Sequence, residues 1–329
     1  MSHRIEGLKL GLALAAVIAS ALPAGNSMAQ AWPNQKAITV VNPASPGGVL
    51  DNLLRSTSEV VARKIGQSII VDSKSGGAGV LAAQAVINAP PDGYVIASNY
   101  ASHVINPYAI QTLPYDTFRD FVPVTRLADL TVLLLAPSSA PYSDVPSLIK
   151  YARENPGKVN FGVPGLGGSI HFGFETFISV ARISVESIPY RGESQVLPDL
   201  LSGRLTLTAM SSGTAKPHID SGKVKVLAAF SEKRVPAFPN VPTIAEQVPA
   251  YKPLLTWYGL FMRAGTPQPV VERLAAEYHA ALQDPAVKAL LEAAGLVPVG
   301  STPAEFAAQL RDEYQRYGDV IRATGFKFQ

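Results

Sequence analysis

The chain contains no cysteine. Disulfides, thiolate nucleophiles, cysteine metal sites and a lipid anchor on an N-terminal cysteine are therefore excluded. An excess of one charge is also lacking: 28 basic residues face 25 acidic ones, a formal net charge of +3. That balance is too weak to argue for nucleic acid or an anionic membrane surface as a partner. The catalytic signatures are absent too. No H-E-x-x-H pair, acidic cluster, Walker loop or G-x-S-x-G elbow occurs. Metal, phosphoryl-transfer and serine-hydrolase machinery is not expected, nor is any cofactor.

Long apolar runs are scarce. Leu10–Leu22 is a thirteen-residue run, short of the roughly 20 residues a bilayer span requires. Arg4 and Lys9 precede it, and Ser27-Met28-Ala29 follows with small residues. That is the pattern of a cleavable secretory signal, so residues 1–29 are expected to be removed. Ala29-Gln30-Ala31 offers a second cleavage site. Without Arg4, Lys9 and Glu6, 26 basic and 24 acidic residues remain in the other 300 positions of 329. That length allows two domains of about 100–150 residues each, and without disulfides each must rest on a large core.

What is present is glycine, placed three times at the same kind of position. Pro46-Gly47-Gly48, Ser75-Gly76-Gly77-Ala78-Gly79 and Pro164-Gly165-Leu166-Gly167-Gly168-Ser169 each follow a strand-like run and precede a helix-like one. Glycine lets backbone approach a bound group, and the helix start beyond it offers free N–H donors and a positive dipole end. Such a place suits a small anion.

The pattern between these turns is strand–loop–helix. Ile38–Val41, Ser68–Val71 and Tyr94–Ala97 read as strands, and apolar residues from Leu50 to Ile65 fall at helical spacing before Gly66. A second helix is expected from about Ala78 to Asn88. The rhythm restarts with a helix over Val145–Glu154 and a strand over Val159–Val163. Ser169 is expected to cap a helix reaching about Val180. Strands at Ser184–Ile188, Leu205–Met210 and Val224–Phe230 and a short helix at Gln195–Ser202 follow. Three helices are expected after Trp257. Two apolar tracts, Val132–Ala136 and Leu254–Met262, read as crossings between two lobes. The expected class is α/β. The expected divisions are 1–29 signal, 30–137 first lobe, 138–250 second lobe and 251–329 the return of the first. Ligands in open α/β sheets sit beyond the carboxyl ends of the strands, where all three glycine turns lie.

Candidate contacts follow from those ends. Gly47 and Gly48 would place backbone N–H groups on a carboxylate. Asp51 would orient that loop or meet a ligand ammonium. Gly77 lies in a G-x-G-x-x-A match, the dinucleotide fingerprint. The next strand ends in Ser98-Asn99-Tyr100 without the acid that a ribose needs, so a nucleotide is not expected. Ser98, Asn99 and Ser102 supply neutral donors, and His103 is expected to be structural. Gly165, Gly167, Gly168 and Ser169 form a second nest. His171 is expected to pack or hydrogen-bond rather than catalyse. Arg191 after Tyr190 is either a bidentate carboxylate partner or a surface residue. Ser211 adds a further donor.

In this order the loops resemble the Bug-type periplasmic solute receptors of tripartite tricarboxylate transporters. The resemblance is carried by Pro46-Gly47-Gly48-Val49-Leu50-Asp51, Pro90-Pro91-Asp92-Gly93-Tyr94 and His103-Val104-Ile105-Asn106-Pro107. In the second half it is carried by Asn155-Pro156-Gly157-Lys158, Gly165-Leu166-Gly167-Gly168-Ser169, Pro189-Tyr190-Arg191-Gly192 and Trp257-Tyr258-Gly259-Leu260. It implies a two-lobed binding protein of the type II, Venus-flytrap kind, each lobe a mostly parallel sheet flanked by helices. It also implies a periplasmic location, a monomer, a small carboxylate ligand held largely by backbone amides and hydroxyls, and delivery to an integral membrane permease pair, with contacts at Ala44, Ser45 and on to Gly48, around Ser75 to Gly79, at Ser98 to Ser102, at Gly165 to Ser169, at Tyr190-Arg191 and at Ser211-Ser212. No nucleic acid and no catalysis are implied. A sensory receptor feeding a membrane kinase, or an exported α/β enzyme, is the alternative. Three positions depart from the family pattern: Ala44 stands where an aromatic is common, Ser73-Lys74 where Asn-Arg is common, and Val163 where Ser is common. A roomier, less polar cleft follows, and with it a bulkier or aromatic carboxylate.

Overall fold

The computed structural model describes residues 32–327. The expected signal segment, 1–29, lies outside the described residues. Two sheets organise the rest. The first contains β1 (Ile38–Asn42), β2 (Ile69–Ser73), β3 (Val95–Tyr100), β4 (Phe121–Leu130), β10 (Trp257–Arg263) and β11 (Leu296–Pro298), in the spatial order β11-β4-β10-β3-β1-β2. The second contains β5 (Val132–Pro137), β6 (Asn160–Pro164), β7 (Glu186–Tyr190), β8 (Leu207–Ser211) and β9 (Val224–Ala229), in the order β7-β6-β8-β5-β9. Helices flank both sheets, and the architecture is a two-lobed α/β fold.

Each sheet has three parallel strands at one side and reversed strands beyond them: β10 and β11 in the first sheet, β5 in the second. β1 pairs in parallel with β2 and β3, while β10 runs antiparallel to β3 and β4. β6 pairs in parallel with β7 and β8, while β5 runs antiparallel to β8 and β9. The reversed strands β5 and β10 hold the two apolar tracts singled out in the sequence. All six residues of β5 are buried, as expected for a strand covered on both faces. β5, placed in the first lobe by the sequence reading, pairs wholly in the second sheet, so the 137/138 division falls beyond the change of sheet. The outgoing and returning crossings touch: Leu130 N–H donates to the Thr256 carbonyl at 2.7 Å.

Local chemistry explains the helices. α1 (Val49–Ile65) buries Leu50, Leu53, Leu54, Thr57 and Val61, one face at helical spacing. It ends at Gly66, whose φ of 71° is left-handed and whose N–H returns to Ala62. A 3-10 turn at Gly77–Gly79 delays α2 (Val80–Ile87) relative to the expected start. α4 (Val145–Glu154) begins with a reciprocal capping box between Asp144 and Ser147. α5 (Ser169–Ala181) is capped by the extended Gly168, not by Ser169. The Ser169 hydroxyl instead lies 2.8 Å from the Thr256 hydroxyl, which ties the helix start to the returning crossing.

Besides a single turn at Ile244–Gln247, two helices escape the sequence pattern, α3 (Ser102–Ala109) and α7 (Ser212–Asp220), which follows the short α6 (Glu193–Leu201). Each contains a proline, Pro107 or Pro217. Pro107 has no N–H to offer the His103 carbonyl one turn back. That carbonyl accepts from the Thr117 hydroxyl at 2.9 Å instead, so no buried acceptor is orphaned. β4 is missed as well, since Pro123, Thr125, Arg126 and Asp129 break its apolar pattern; pairing with β10 and β11 on both sides makes it a strand.

The last helices, α9 (Gln268–Leu282), α10 (Pro285–Ala293) and α11 (Pro303–Thr324), close the first lobe; α8 is a single turn at Ile244–Gln247. α11 also reaches the second lobe, where the Tyr317 ring meets Phe172 edge-on at 5.8 Å. No helix among the described residues is long and apolar enough to cross a membrane.

Candidate ligand-binding cleft

The carboxyl ends of the parallel strands bring the glycine turns together. In the first lobe these ends lead into residues 43–48, 74–79 and 101–102. In the second they lead into 165–168, 191–192 and Ser211–Ser212. Between the lobes lies a cavity of about 650 Å³. The first lobe lines it with Ala44, Val49, Leu50, Ala78, Tyr100, Ala101, Ser102, Ile105, Asn106 and Ala109; the second with Leu166, Gly167, Gly168 and Ser169; Thr256 and Tyr258 come from the returning crossing and β10. Another hollow, of about 620 Å³, lies around Leu113–Arg119 and Tyr314. None of the glycine turns reaches it, so the interlobe cavity is the candidate site.

Three helices begin at this cavity: α1 through Val49 and Leu50, α3 through Ser102, and α5 through Ser169. Their first-turn N–H groups and dipole ends give it a positive character. Lysine, arginine and histidine are missing from its lining.

Asp51 does not face the cavity. It is 2 % exposed and accepts from Arg55 Nε at 2.8 Å, Gly47 N–H at 2.9 Å and Asn42 Nδ2 at 3.0 Å. The Arg55 bond above all, helped by the other two, holds its carboxyl below the usual range against the opposing effect of burial. Both of its oxygens already accept from the protein and it is buried, so its role is to orient the loop; the ligand-ammonium alternative has no support in this geometry. Asn42 returns the favour by accepting the Ala44 N–H at 2.9 Å. Gly47, at φ 80°, turns the loop so that its amide faces inward to Asp51. Ser45, Gly47 and Gly48 flank the cavity wall made by Ala44 and are exposed.

The second turn is held from below. The Ala78 carbonyl accepts from Ser102 Oγ at 2.7 Å and Asn106 Nδ2 at 3.1 Å. Gly77 is exposed beside it. Ser98 and Asn99 are fully buried and lie off the cavity surface. Asn99 accepts from the Tyr100 N–H at 2.9 Å and packs against Gly79, where a Cβ would come within 2.5 Å of its oxygen. His103 is structural, as expected: its ring sits among Tyr115, Phe121 and Phe261, and burial drives its pKa down to about 3, so it is neutral.

In the second lobe, Gly165 and Gly167 have φ of 122° and 75° and turn the loop onto α5. His171 is buried, 3 % exposed. Its Nδ1 accepts the Gly167 N–H at 3.2 Å, and its Nε2 lies 3.4 Å from the Glu175 carboxylate. Tyr190 lies beside Pro164 in the strand register, but its hydroxyl donates to Asp199 at 2.6 Å. Arg191 is exposed, and among the described residues its guanidinium has no ion-pair partner. The Ser211 amide and hydroxyl both donate to Glu193, each at 2.7 Å. Of the sixteen anticipated residues the cavity lining therefore contains Ala44, Ser102, Gly167, Gly168 and Ser169.

The sequence reading missed the two phenols. Tyr100 and Tyr258 are direct partners in the antiparallel pairing of β3 and β10, and both line the cavity. Burial raises the pKa of both; that of Tyr258 reaches about 12, with the Glu193 carboxylate and Tyr100 contributing. Both are therefore neutral hydroxyl groups able to donate. Trp257-Tyr258 and Asn99-Tyr100 stand in the quoted sequence segments, but their facing register is not readable from either alone.

A family model described as the tripartite tricarboxylate transporter family receptor, TctC, matches residues 53–326. The chain belongs to that family. A protein from a Pseudomonas species, named UPF0065 protein in tcbD-tcbE intergenic region, is 36% identical over 309 residues, covering 92% of this chain and 91% of its own. The solved periplasmic binding protein BugD is 27% identical with a TM-score of 0.70, over 90% of this chain and 99% of its own. The R. palustris protein Rpa4515, solved with adipate, is 31% identical with a TM-score of 0.74, over 91% of this chain and 100% of its own. The Bug-type resemblance is thereby established. Members and neighbours are solute-binding proteins, and this TctC-family chain is a receptor rather than an enzyme.

Proposed function

We propose that this receptor binds a small carboxylate in the interlobe cavity outside the cytoplasm and delivers it to an integral membrane permease pair. The observation that carries the reading is three helix N-termini converging on one cavity without a fixed cation. Backbone amides, the two phenols and the Ser102 and Ser169 hydroxyls then supply the donors for the anion. The adipate bound by Rpa4515 supports a ligand of this class. The lobes are taken to divide where the chain changes sheet, after β4 and before β10, with the ligand joining them in a closed form.

The ligand is the bulkier or aromatic kind of carboxylate. Ala44, Val49, Ile105, Ala109 and Leu166 make an apolar wall, and Ala44 leaves room that a larger side chain would fill. Calorimetric titration with aspartate, glutamate, citrate, adipate and benzoate tests this. Adipate or benzoate is expected to bind more tightly than aspartate, with a rise in Tm and a smaller radius in solution scattering. Tight, selective aspartate binding refutes the ligand assignment, and tight binding at unchanged radius refutes closure.

A further inference from the structure

We infer that His171 is a positioning residue that fixes the second-lobe ligand loop through its Nδ1 atom, and that ligand affinity therefore depends on this ring staying neutral. The inference rests on the carboxylate-receptor reading above.

The loop has few anchors. Gly165 N–H returns to the Val163 carbonyl at 2.9 Å and Gly168 N–H to the Gly165 carbonyl at 3.2 Å. Both are bonds within the turn and cannot set its direction relative to α5. Gly168, the cap residue, brings no side chain to the helix start. Three bonds tie the turn to structure beyond it: Phe172 N–H to the Gly168 carbonyl at 3.1 Å, the first bond of α5; Ser169 Oγ to Thr256; and Gly167 N–H to His171 Nδ1 at 3.2 Å, which is the one that engages the Gly167 peptide. Leu166, Gly167 and Gly168 are the loop's part of the cavity wall. The imidazole thus decides which way the Gly167 peptide faces.

An imidazole nitrogen can accept only while it carries no proton. With Nδ1 accepting, the proton of neutral His171 sits on Nε2, where the Glu175 carboxylate is placed to receive it at 3.4 Å. Ser187 Oγ donates to the same carboxylate oxygen at 3.0 Å and holds it in place. The result is a relay from Ser187 on β7 through Glu175 and His171 to the loop amide, and it selects one tautomer. Glu175 is the charged group facing the ring, from the same helix. The other neighbours are aromatic: Phe172 of α5 at 5.4 Å and, from the C-terminal segment, Phe326 at 5.0 Å. Protonating Nδ1 would set two N–H donors against each other, so the Gly167 peptide must turn away. Gly167, a glycine at φ 75°, allows that turn. An imidazolium would also attract an anion in the cavity. That attraction acts over a longer distance through a solvent-open cleft, so the loss of loop geometry is expected to win.

Two measurements test the proposal. The first needs no ligand: long-range ¹H–¹⁵N spectra of the purified protein report the tautomer of His171. The expected result at pH 8 is an unprotonated Nδ1 and a protonated Nε2, with the Gly167 amide shift following His171 on acidification. An Nδ1–H tautomer overturns the inference whatever the protein binds. The second is calorimetric titration of wild type, H171A and H171N with adipate and benzoate from pH 5 to 8. Asn places an acceptor where Nδ1 stood and does not titrate. H171A is expected to lose about tenfold in affinity, the scale of one buried hydrogen bond. H171N is expected to recover most of that loss, because its amide oxygen can accept from the Gly167 N–H in place of Nδ1. Equal affinity of H171A and wild type, or no recovery in H171N, overturns the inference alone. Failure of the wild type to bind either acid overturns the carboxylate reading and takes this inference with it.

Discussion

Tyr258 stands directly opposite Tyr100 across the antiparallel pairing of β10 and β3, and both rings line the interlobe cavity. One strand is the third of the chain and the other is the strand that returns from the second lobe. The pair therefore sits where the returning crossing meets the cavity. With both phenols neutral, each is a donor that needs no compensating charge.

Removing one phenol oxygen tests its contact with the ligand. Y100F and Y258F are each expected to weaken carboxylate binding by about 3–10-fold, the range of a single net hydrogen bond, with Tm little changed. Unchanged calorimetric affinity in both variants would remove the phenols from the binding account.

Ala44 sets the size of the cleft. A44F adds a ring to the cavity wall beside Val49 and Leu50. Benzoate binding is expected to fall about tenfold or more, since overpacking typically costs roughly 1–3 kcal/mol, while short acids lose less. A uniform loss across all acids points to a folding defect instead and contradicts the steric account.

Asp51 ties the first glycine turn to α1. D51A leaves the Gly47 N–H and the Asn42 amide without their acceptor, a loss of about 1–3 kcal/mol in stability. Since Asp51 titrates below its ordinary range, its contribution is present above pH 3.8 and is lost as the pH falls through its lower folded value. Denaturant melts of wild type and D51A should therefore differ most near neutrality and converge in acid. A constant difference down to low pH contradicts this assignment.

Glu313 on α11 carries the opposite sign. It is fully buried and accepts from Trp257 Nε1 at 2.7 Å and Gln309 Nε2 at 2.8 Å. Burial pushes its pKa from 4.5 up to about 7. The folded state thus holds a proton that the unfolded chain releases, so stability falls as the pH rises from about 4.5 to about 7 and levels off above. By one pKa unit per 1.36 kcal/mol this amounts to at most about 3 kcal/mol. E313Q, neutral at every pH, should flatten that part of the stability profile and raise Tm at pH 8 relative to wild type. A profile of unchanged slope in E313Q assigns the dependence elsewhere.

Gly79 tests the fit of the second turn. Its φ is 89°, and a Cβ there would meet the oxygen of the fully buried Asn99 at 2.5 Å. G79A is expected to lower stability by about 2 kcal/mol or more, read as a lower denaturant midpoint. A neutral result would mean that Asn99 yields without cost.

Much of the fold is written locally. The glycine turns, the stop of α1 at Gly66 and the near-continuous apolar strands β5 and β10 follow from backbone freedom and burial patterns within a few residues. Less was legible where distant pairing overrides local pattern. β4 is polar enough to look like a loop and becomes a strand because β10 and β11 satisfy its edges. α3 hides behind Pro107 because the rescue of the His103 carbonyl comes from Thr117, fourteen residues on.

The same division runs through the site. The sequence alone determined that glycine turns lie at strand ends just before helix starts. Tertiary structure decided which groups face the cavity. Asp51 and Ser211 have the right chemistry for a ligand, yet the first is spent on Arg55, Gly47 and Asn42, and the second on Glu193. Tyr100 and Tyr258 carry no local signal, yet the register of β3 and β10 brings both into the cleft. A residue's chemistry is fixed by its type, but its availability depends on whether a partner distant in sequence has already taken its hydrogen bonds.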